Sequence, residues 1–558
     1  MHSATAVPQP DKKSSTAYLL HKLTTLTLAA VTLYIAFCSP KIAFSADKKS
    51  VPNIVFILAD DMGYGDIKAL NPECKIATPN LDQLAKGGMI FTDAHSSSSV
   101  CTPTRYGVLT GRYNWRSRLK SGVLWGLSKR LIEPDRMTVP SMLKQHGYYT
   151  AAVGKWHLGM DWTLKDGGIA TEKSYNKKTN PGWEVDYSKP IQNGPNTVGF
   201  DYFFGISASL DMPPYVYIEN NKSQGIPTVT KAFFREGPAH KDFEAIDVLP
   251  RITDKTVEII DEHAAASKKG KPFFIYFPLN APHTPILPTP EWQGKSGINK
   301  YCDFVMQVDD TVGQVMQALK KQGIHENTLV IFTADNGCSP AANFKEMADK
   351  DHQPSYRFRG HKADIYEGGH RVPFIANWPA RVKAGTHSDQ LICLTDLMAT
   401  AADIVGAKLP DNAGEDSVSI LPALEGKDTQ PLREAAVHHS IRGAFSIRKG
   451  HWKLELCPGS GGWSFPKPGK DDLSQLPAIQ LYDLNDDLNE QKNVQSEYPE
   501  VVKELTDLLQ SYADRGRSTP GAPQKNTGDV DIFEAGKSAQ KIKRPQRIKQ
   551  KKPQVKSQ

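Results

Sequence analysis

Cysteine is scarce in this chain. Its 558 residues carry seven, Cys38, Cys74, Cys101, Cys302, Cys338, Cys393 and Cys457, and no two stand at CxxC spacing. That argues against a zinc site built on paired cysteines and against a dense disulfide framework. No internal repeat is evident, which argues against a repeat architecture. Past the first 46 residues no apolar run is long enough to span a bilayer. Acidic residues stop at Glu534, and nine lysines and arginines follow, so the net charge of +7 sits in the tail and the body is close to neutral. A nucleic-acid partner is not expected, because a basic face on a folded domain is missing.

What is present begins with a leader. Lys12, Lys13 and Lys22 precede an apolar stretch, Leu23 to Phe37, and small residues follow at Ala43, Ser45 and Ala46. This is the layout of a cleaved signal peptide over residues 1–46, with an N-terminal anchor as the alternative. A secreted or periplasmic protein with no stable membrane span after cleavage is expected. Phe37 fits poorly before Cys38, so lipidation is not.

Continuous apolar, β-rich runs at Ile54–Ala59, Tyr149–Val153, Phe273–Phe277 and Leu329–Thr333 predict buried parallel strands. Helical patterns lie between them, at Leu81–Gly87, Thr138–His146 and Phe304–Gln322, with Gly147 and Gly323 as stops. The alternation predicts an α/β fold, a large mixed sheet flanked by helices, over residues 47–430. Residues 431–515 read differently. Short alternating runs at Ala435–Ser440, Ala444–Arg448 and Trp452–Leu456 predict an antiparallel meander, with a helix at Pro499–Tyr512 packed on it. Residues 516–558, rich in Pro, Gly, Gln and Lys, read as a basic disordered tail.

The polar residues after the four strands carry the chemistry. They are Asp60-Asp61, Gly154-Lys155-Trp156-His157, Asn280-Ala281-Pro282-His283 and Asp335-Asn336-Gly337. Ligands bind beyond the carboxyl ends of strands in open α/β sheets, so one rim should collect these groups. Each alone has a bland explanation, such as an Asp-Asn-Gly turn. Their coincidence at four strand ends does not.

Cys101-Thr102-Pro103-Thr104-Arg105 is the sharpest signal, followed by Thr110-Gly111-Arg112. Pro103 suits the first turn of a helix, whose N-terminal donors would stabilise an anionic oxygen at residue 101. Arg105 lies one turn along on the same face. The run resembles the C-x-P-x-R…T-G-R signature of the type I sulfatases, with Thr104 and Val108 as mild departures. Lys155-Trp156-His157-Leu158-Gly159, Pro282-His283-Thr284-Pro285 and Gly360-His361-Lys362 match that family too, and the resemblance spans about Pro52 to Tyr512.

It implies an alkaline-phosphatase-like sulfatase fold with a smaller C-terminal antiparallel-sheet subdomain. By the same resemblance, Cys101 is oxidised to Cα-formylglycine by a formylglycine-generating or sulfatase-maturing enzyme. Asp60, Asp61, Asp335 and Asn336 hold Ca²⁺ together with residue 101. Lys155 and Lys362 hold the sulfate oxygens, His283 protonates the leaving alkoxide, His157 orients or deprotonates the hydrated aldehyde, and Asp335 activates the attacking hydroxyl. Glu367 is expected to be structural. Asp211 is the best single candidate for a substrate contact, and His438 and His439 are candidates for bringing the second domain to the pocket. The expected substrate is a sulfated carbohydrate or an aryl sulfate. A phosphate or phosphonate monoester hydrolase with the same machinery, and a non-catalytic sulfated-glycan binder, are the alternatives.

Overall fold

The computed structural model describes Met1 and residues 51–171 and 181–541; the expected leader and the end of the tail, 542–558, lie outside the described residues. The four expected strands all form. The strands of the main sheet are β1 (Asn53–Ala59), β2 (Met89–Phe91), β3 (Tyr149–Lys155), β4 (Tyr202–Ile206), β5 (Ile218–Glu219), β6 (Lys222–Ser223), β7 (Phe273–Pro278), β8 (Thr328–Ala334), β9 (Phe374–Asn377) and β10 (Thr386–Ser388). Their order is β10-β2-β9-β8-β1-β7-β3-β4-β5-β6. The expected strands are therefore neighbours at its centre. β1 runs parallel to both β7 and β8, and β3 parallel to β7 and β4. The outer pairs β8–β9, β9–β2, β4–β5 and β5–β6 are antiparallel, which makes the sheet mixed.

Burial on both faces explains the unbroken apolar runs. Every residue of β1, β7 and β8 is buried. Each Ile, Leu or Phe so placed contributes about 1.5–3 kcal/mol relative to exposure. The longer helices are α1 (Pro79–Lys86), α2 (Cys101–Thr110), α3 (Val139–Gln145), α4 (Val248–Ser267), α5 (Lys300–Lys321), α6 (Leu397–Val405), α7 (Pro499–Asp514) and α8 (Glu534–Lys541). Helices α1, α4 and α5 pack through α5, while α2, α3 and α6 form a second group. Local signals set their ends. Thr138 caps α3 by accepting from Ser141 N, Asn299 caps α5 by accepting from Cys302 N, and the expected stops Gly147 and Gly323 take φ of +84° and +63°.

The C-terminal sheet is β11 (Ala436–His439), β12 (Phe445–Lys449), β13 (Trp452–Glu455) and β14 (Gln480–Asp483), antiparallel throughout. The first three match the expected meander, and β14 is additional. Helix α7 packs on β12 and β13. Their apolar cluster takes in Tyr113 and Trp115 from the region after α2, and the described residues from Val51 to Lys541 belong to one compact unit.

The expectation of disorder from residue 516 is corrected as far as Lys541. Thr527 N donates to Arg116 O at 2.7 Å, Arg116 Nη1 donates to Asn526 Oδ1 at 3.1 Å, and Ile532 is buried in the C-terminal cluster. Few apolar residues are needed because backbone groups and the buried Arg112 and Arg116 anchor the segment. The six described cysteines are buried and free, and among the described residues no helix is long and apolar enough to cross a membrane.

Candidate active site

Cys101 is the first residue of α2, entered from Val100 in extended conformation. The helix is buried throughout and stops at Gly111, whose φ is +62°. Arg105 stands one turn along. Its Nη2 lies 2.7 Å from Asp335 Oδ2 and 3.5 Å from Asp60 Oδ1, and its Nη1 donates to the Lys155 carbonyl at 3.1 Å. One guanidinium thus ties α2 to the ends of β1, β3 and β8.

Those ends deliver the expected groups. Lys155 Nζ donates to Asp60 Oδ2 at 2.7 Å, and Lys362 Nζ donates to Asp61 at 2.7 Å. Asn336 Nδ2 donates to Asp61 Oδ1 at 2.8 Å, and Asp61 N donates to Asp335 Oδ1 at 3.2 Å. His283 Nε2 is 3.6 Å from Asp61 Oδ2. Ligating atoms of Asp60, Cys101 and Asp335 lie within 4.8 Å of one another, as do those of Asp60, Asp61 and His283. Lys362 arrives from the connection between β8 and β9, where its N–H donates to Cys338 O and Ala363 N donates to Ser99 O. Asp61, His157 and Ala363 adopt positive φ of 67°, 55° and 80°, a conformation uncommon for residues with a side chain and concentrated at functional sites.

The histidines have defined roles for each nitrogen. His157 Nε2 is 2.8 Å from Leu124 O, so it carries the proton, and buried Nδ1 has no partner. Burial, Lys155 and Arg105 push this imidazole well below its usual range and keep it neutral. His283 Nδ1 is 2.6 Å from Thr284 O, which leaves Nε2 facing the acidic cluster. Burial and Lys362 lower it as well. Burial and the neighbouring Asp60 push Asp335 up to about 7, whereas Lys155, His283 and Arg105 overcome burial at Asp60 and hold it low. Burial pushes the Cys101 thiol up, so it stays protonated at neutral pH.

The Sulfatase family profile matches residues 52–407. The chain belongs to the sulfatase family. It is 33% identical over 508 residues to the N-acetylgalactosamine-6-O-sulfatase of Bacteroides thetaiotaomicron, covering 83% of this chain and 93% of that protein. It is 32% identical over 484 residues to arylsulfatase A of Homo sapiens, covering 82% and 87%. A solved structure described under the metabolism of multiple glycosaminoglycans by Bacteroides thetaiotaomicron superposes with a TM-score of 0.71 at 31% identity, over 83% of this chain and 99% of that one. This sulfatase is accordingly an enzyme that hydrolyses sulfate esters.

Its donor set suits a hard divalent cation. Asp60, Asp61, Asp335 and Asn336 offer oxygen ligands, and the buried Asp60 Oδ1 and Asn336 Oδ1 have no hydrogen-bond partner. Asn280, quoted in the sequence without a role, is buried at the rim with both amide atoms unpartnered. Asp211 does not join the cluster. Its Oδ2 pairs with Arg235, whose guanidinium lies 4.9 Å from the Trp125 ring centre, and its Oδ1 is unpartnered. The His438 ring stacks on His370, and the His439 ring packs edge-on against Phe445. The C-terminal sheet reaches the site through main chain, because His439 O accepts from Ser99 N at 3.0 Å and Ser98 Oγ at 2.9 Å. Glu367 is buried against Lys453 and Arg371, at 3.1 and 3.2 Å.

Proposed function

We propose that this sulfatase hydrolyses sulfate esters of carbohydrates, using a formylglycine made from Cys101 and a Ca²⁺ held by Asp60, Asp61, Asp335, Asn336 and residue 101. The observation that carries the reading is the meeting of four strand ends at the head of α2. A buried, protonated thiol is a weak nucleophile, so the same position serves catalysis better after oxidation. Formylglycine supplies, in hydrated form, one hydroxyl to attack sulfur and a second through which sulfate is expelled.

The charges support the metal. Three carboxylates, Asp60, Asp61 and Asp335, face three cations, Arg105, Lys155 and Lys362, and they pair off. That balance leaves no positive charge for an anionic substrate. A divalent ion held by Asp60, Asp61, Asp335 and Asn336 would add two positive charges, and Lys155 and Lys362 would then be free to hold the sulfate oxygens. His157 receives a proton at Nδ1 from the nucleophilic centre. His283, whose Nδ1–H is engaged by Thr284 O, would take up a second proton at Nε2, against burial, and deliver it to the leaving oxygen. Arg105 fixes the orientation of Asp335 beside residue 101.

Carbohydrate substrates are supported by the N-acetylgalactosamine-6-O-sulfatase relative. With the leader expected from the sequence, the reading is of an exported enzyme, matured by a formylglycine-generating partner. Mass spectrometry of the peptide containing residue 101, from active protein of the native host, tests the nucleophile. An aldehyde is expected, and an unmodified thiol in active protein refutes the mechanism. Turnover of a panel of sulfated monosaccharides, including 6-O-sulfated N-acetylgalactosamine, beside an aryl phosphate tests the substrate. A higher kcat/KM on the phosphate would favour the phosphatase alternative.

A further inference from the structure

A cluster of three histidines lies outside the machinery described so far. His95 ends the short strand Ala94–His95, His370 ends the short helix Glu367–His370, and His438 lies in β11. All three are fully buried. They join three parts of the chain that frame the nucleophile. Ser96 N donates to His370 O at 2.8 Å, and Val372 N donates to Ala94 O at 3.0 Å. Six residues after His95 the chain enters α2 at Cys101.

The cluster can be read by counting protons. His370 Nε2 is 2.9 Å from Ile365 O, a carbonyl that only accepts, so this nitrogen carries a proton. His95 Nε2 is 2.8 Å from Asp93 Oδ1. Asp93 is held ionised by Arg371 and Arg448, each 3.2 Å away, so His95 Nε2 carries a proton too. His95 Nδ1 and His370 Nδ1 are 3.1 Å apart, and a hydrogen bond between two ring nitrogens needs one further proton. Two neutral imidazoles hold two protons, and these contacts require three.

We infer that His95 and His370 share a buried imidazolium proton, and that this charged pair positions the Ser96–Cys101 segment for sulfate-ester cleavage. The positioning role rests on Cys101 being the nucleophile; the proton count does not. Burial opposes a charge on both rings, with Lys453 acting against His370 and Arg371 against His95. In its favour are Asp93, in direct contact with His95, and Glu367 Oε1, 3.9 Å from His370 Nε2. A metal ion is the poorer occupant. The His370 and His438 rings stack at 3.9 Å with planes 7° apart, so their in-plane lone pairs lie in separate, nearly parallel planes and do not converge on one point. Unpartnered His438 Nε2 lies over this pair as a neutral neighbour.

Neutron diffraction from perdeuterated protein at pH 7.5 reads the count directly. Three deuterons on the four nitrogens of His95 and His370, with none on Asp93, are expected. Two deuterons, a deuteron on the Asp93 carboxyl, or metal scattering among the rings would overturn the inference. His95→Gln tests the positioning. Misplacing a reacting group by about 1 Å costs on the order of 100-fold. The variant should therefore lose about that in kcat, with KM within about twofold because the groups holding sulfate are untouched. Wild-type kcat in a folded His95→Gln protein would refute the positioning role. If that variant does not fold, the neutron count on the parent still decides the proton. Three deuterons in protein whose residue 101 proves dispensable would keep the proton and discard the reading of the nucleophile.

Discussion

Replacing Asp416 with alanine should come close to unfolding this protein without touching its chemistry. Asp416 and Arg116 are both fully buried, and the carboxylate accepts from Arg116 Nε and Nη2 at 2.8 Å each. It also accepts from Tyr113 N at 2.8 Å and Ser518 N at 3.0 Å. Arg116 further donates to Tyr512 O at 2.9 Å and lies 4.1 Å over the Trp115 ring. Alanine strands a buried guanidinium, which costs about 3–5 kcal/mol. It also strands buried N–H donors, each costing about 1–3 kcal/mol. A loss on the order of 5 kcal/mol is comparable with the whole net stability of many domains. Urea denaturation should show a large fall in midpoint at unchanged m-value, while folded variant keeps its kcat/KM. The sign of the pH effect follows from Asp416, which Arg116 holds below its usual range against burial. The pair's stabilisation is present above the unfolded-state value of about 4 and is lost as pH falls through the lowered folded value. Wild-type protein should therefore gain acid sensitivity there that Asp416→Ala lacks. A midpoint loss equivalent to less than about 1 kcal/mol would refute the reasoning.

Lys155→Ala should lower kcat/KM on a sulfate ester by about 100- to 1000-fold, the usual consequence of removing one donor to developing charge; a loss below tenfold would assign the sulfate to other groups. Chelation by EDTA should abolish turnover and lower Tm, with Ca²⁺ restoring both. At 100 times its Kd the ion should add about 2.7 kcal/mol, and unchanged Tm and activity in chelator would exclude a resident metal. Truncation after Arg515 removes Asn526 from Arg116 and buried Ile532 from the C-terminal cluster. A hydrogen bond to a charged group contributes about 1.5–3 kcal/mol, so Cm should fall while aryl-sulfate kcat persists; an unchanged Cm would mean the segment is dispensable.

The centre of the fold was legible because its strands are buried on both faces and leave unbroken apolar runs at Ile54–Ala59 and Leu329–Thr333. The meeting of polar groups at one rim was legible for a related reason: each polar cluster directly follows such a run. Strand β14 was not, since Gln480-Leu481-Tyr482-Asp483 is short and polar at both ends, and it forms by pairing with β13. The order of residues 516–541 was hidden because composition does not reveal a backbone N–H that donates to Arg116 O. Asp211 stands out as an acidic residue near the rim, but the sequence does not show that Arg235 engages it.

The histidine cluster was hidden for a deeper reason. His95, His370 and His438 are separated by 275 and 68 positions, and nothing in the spacing joins His438, a candidate for reaching the pocket, to the other two. Only the fold brings them within reach, and only their hydrogen-bond partners determine how many protons they hold. The same fold explains why the C-terminal sheet belongs to the catalytic unit. Through His438 it covers the proton-sharing pair, and through His439 O it holds Ser98 and Ser99 just ahead of Cys101. A cut before β11 would therefore remove support from the nucleophile segment as well as an apolar cluster, so a chain ending at residue 430 should be inactive even where it remains soluble. Aryl-sulfate turnover by such a fragment would show that the nucleophile needs neither contact.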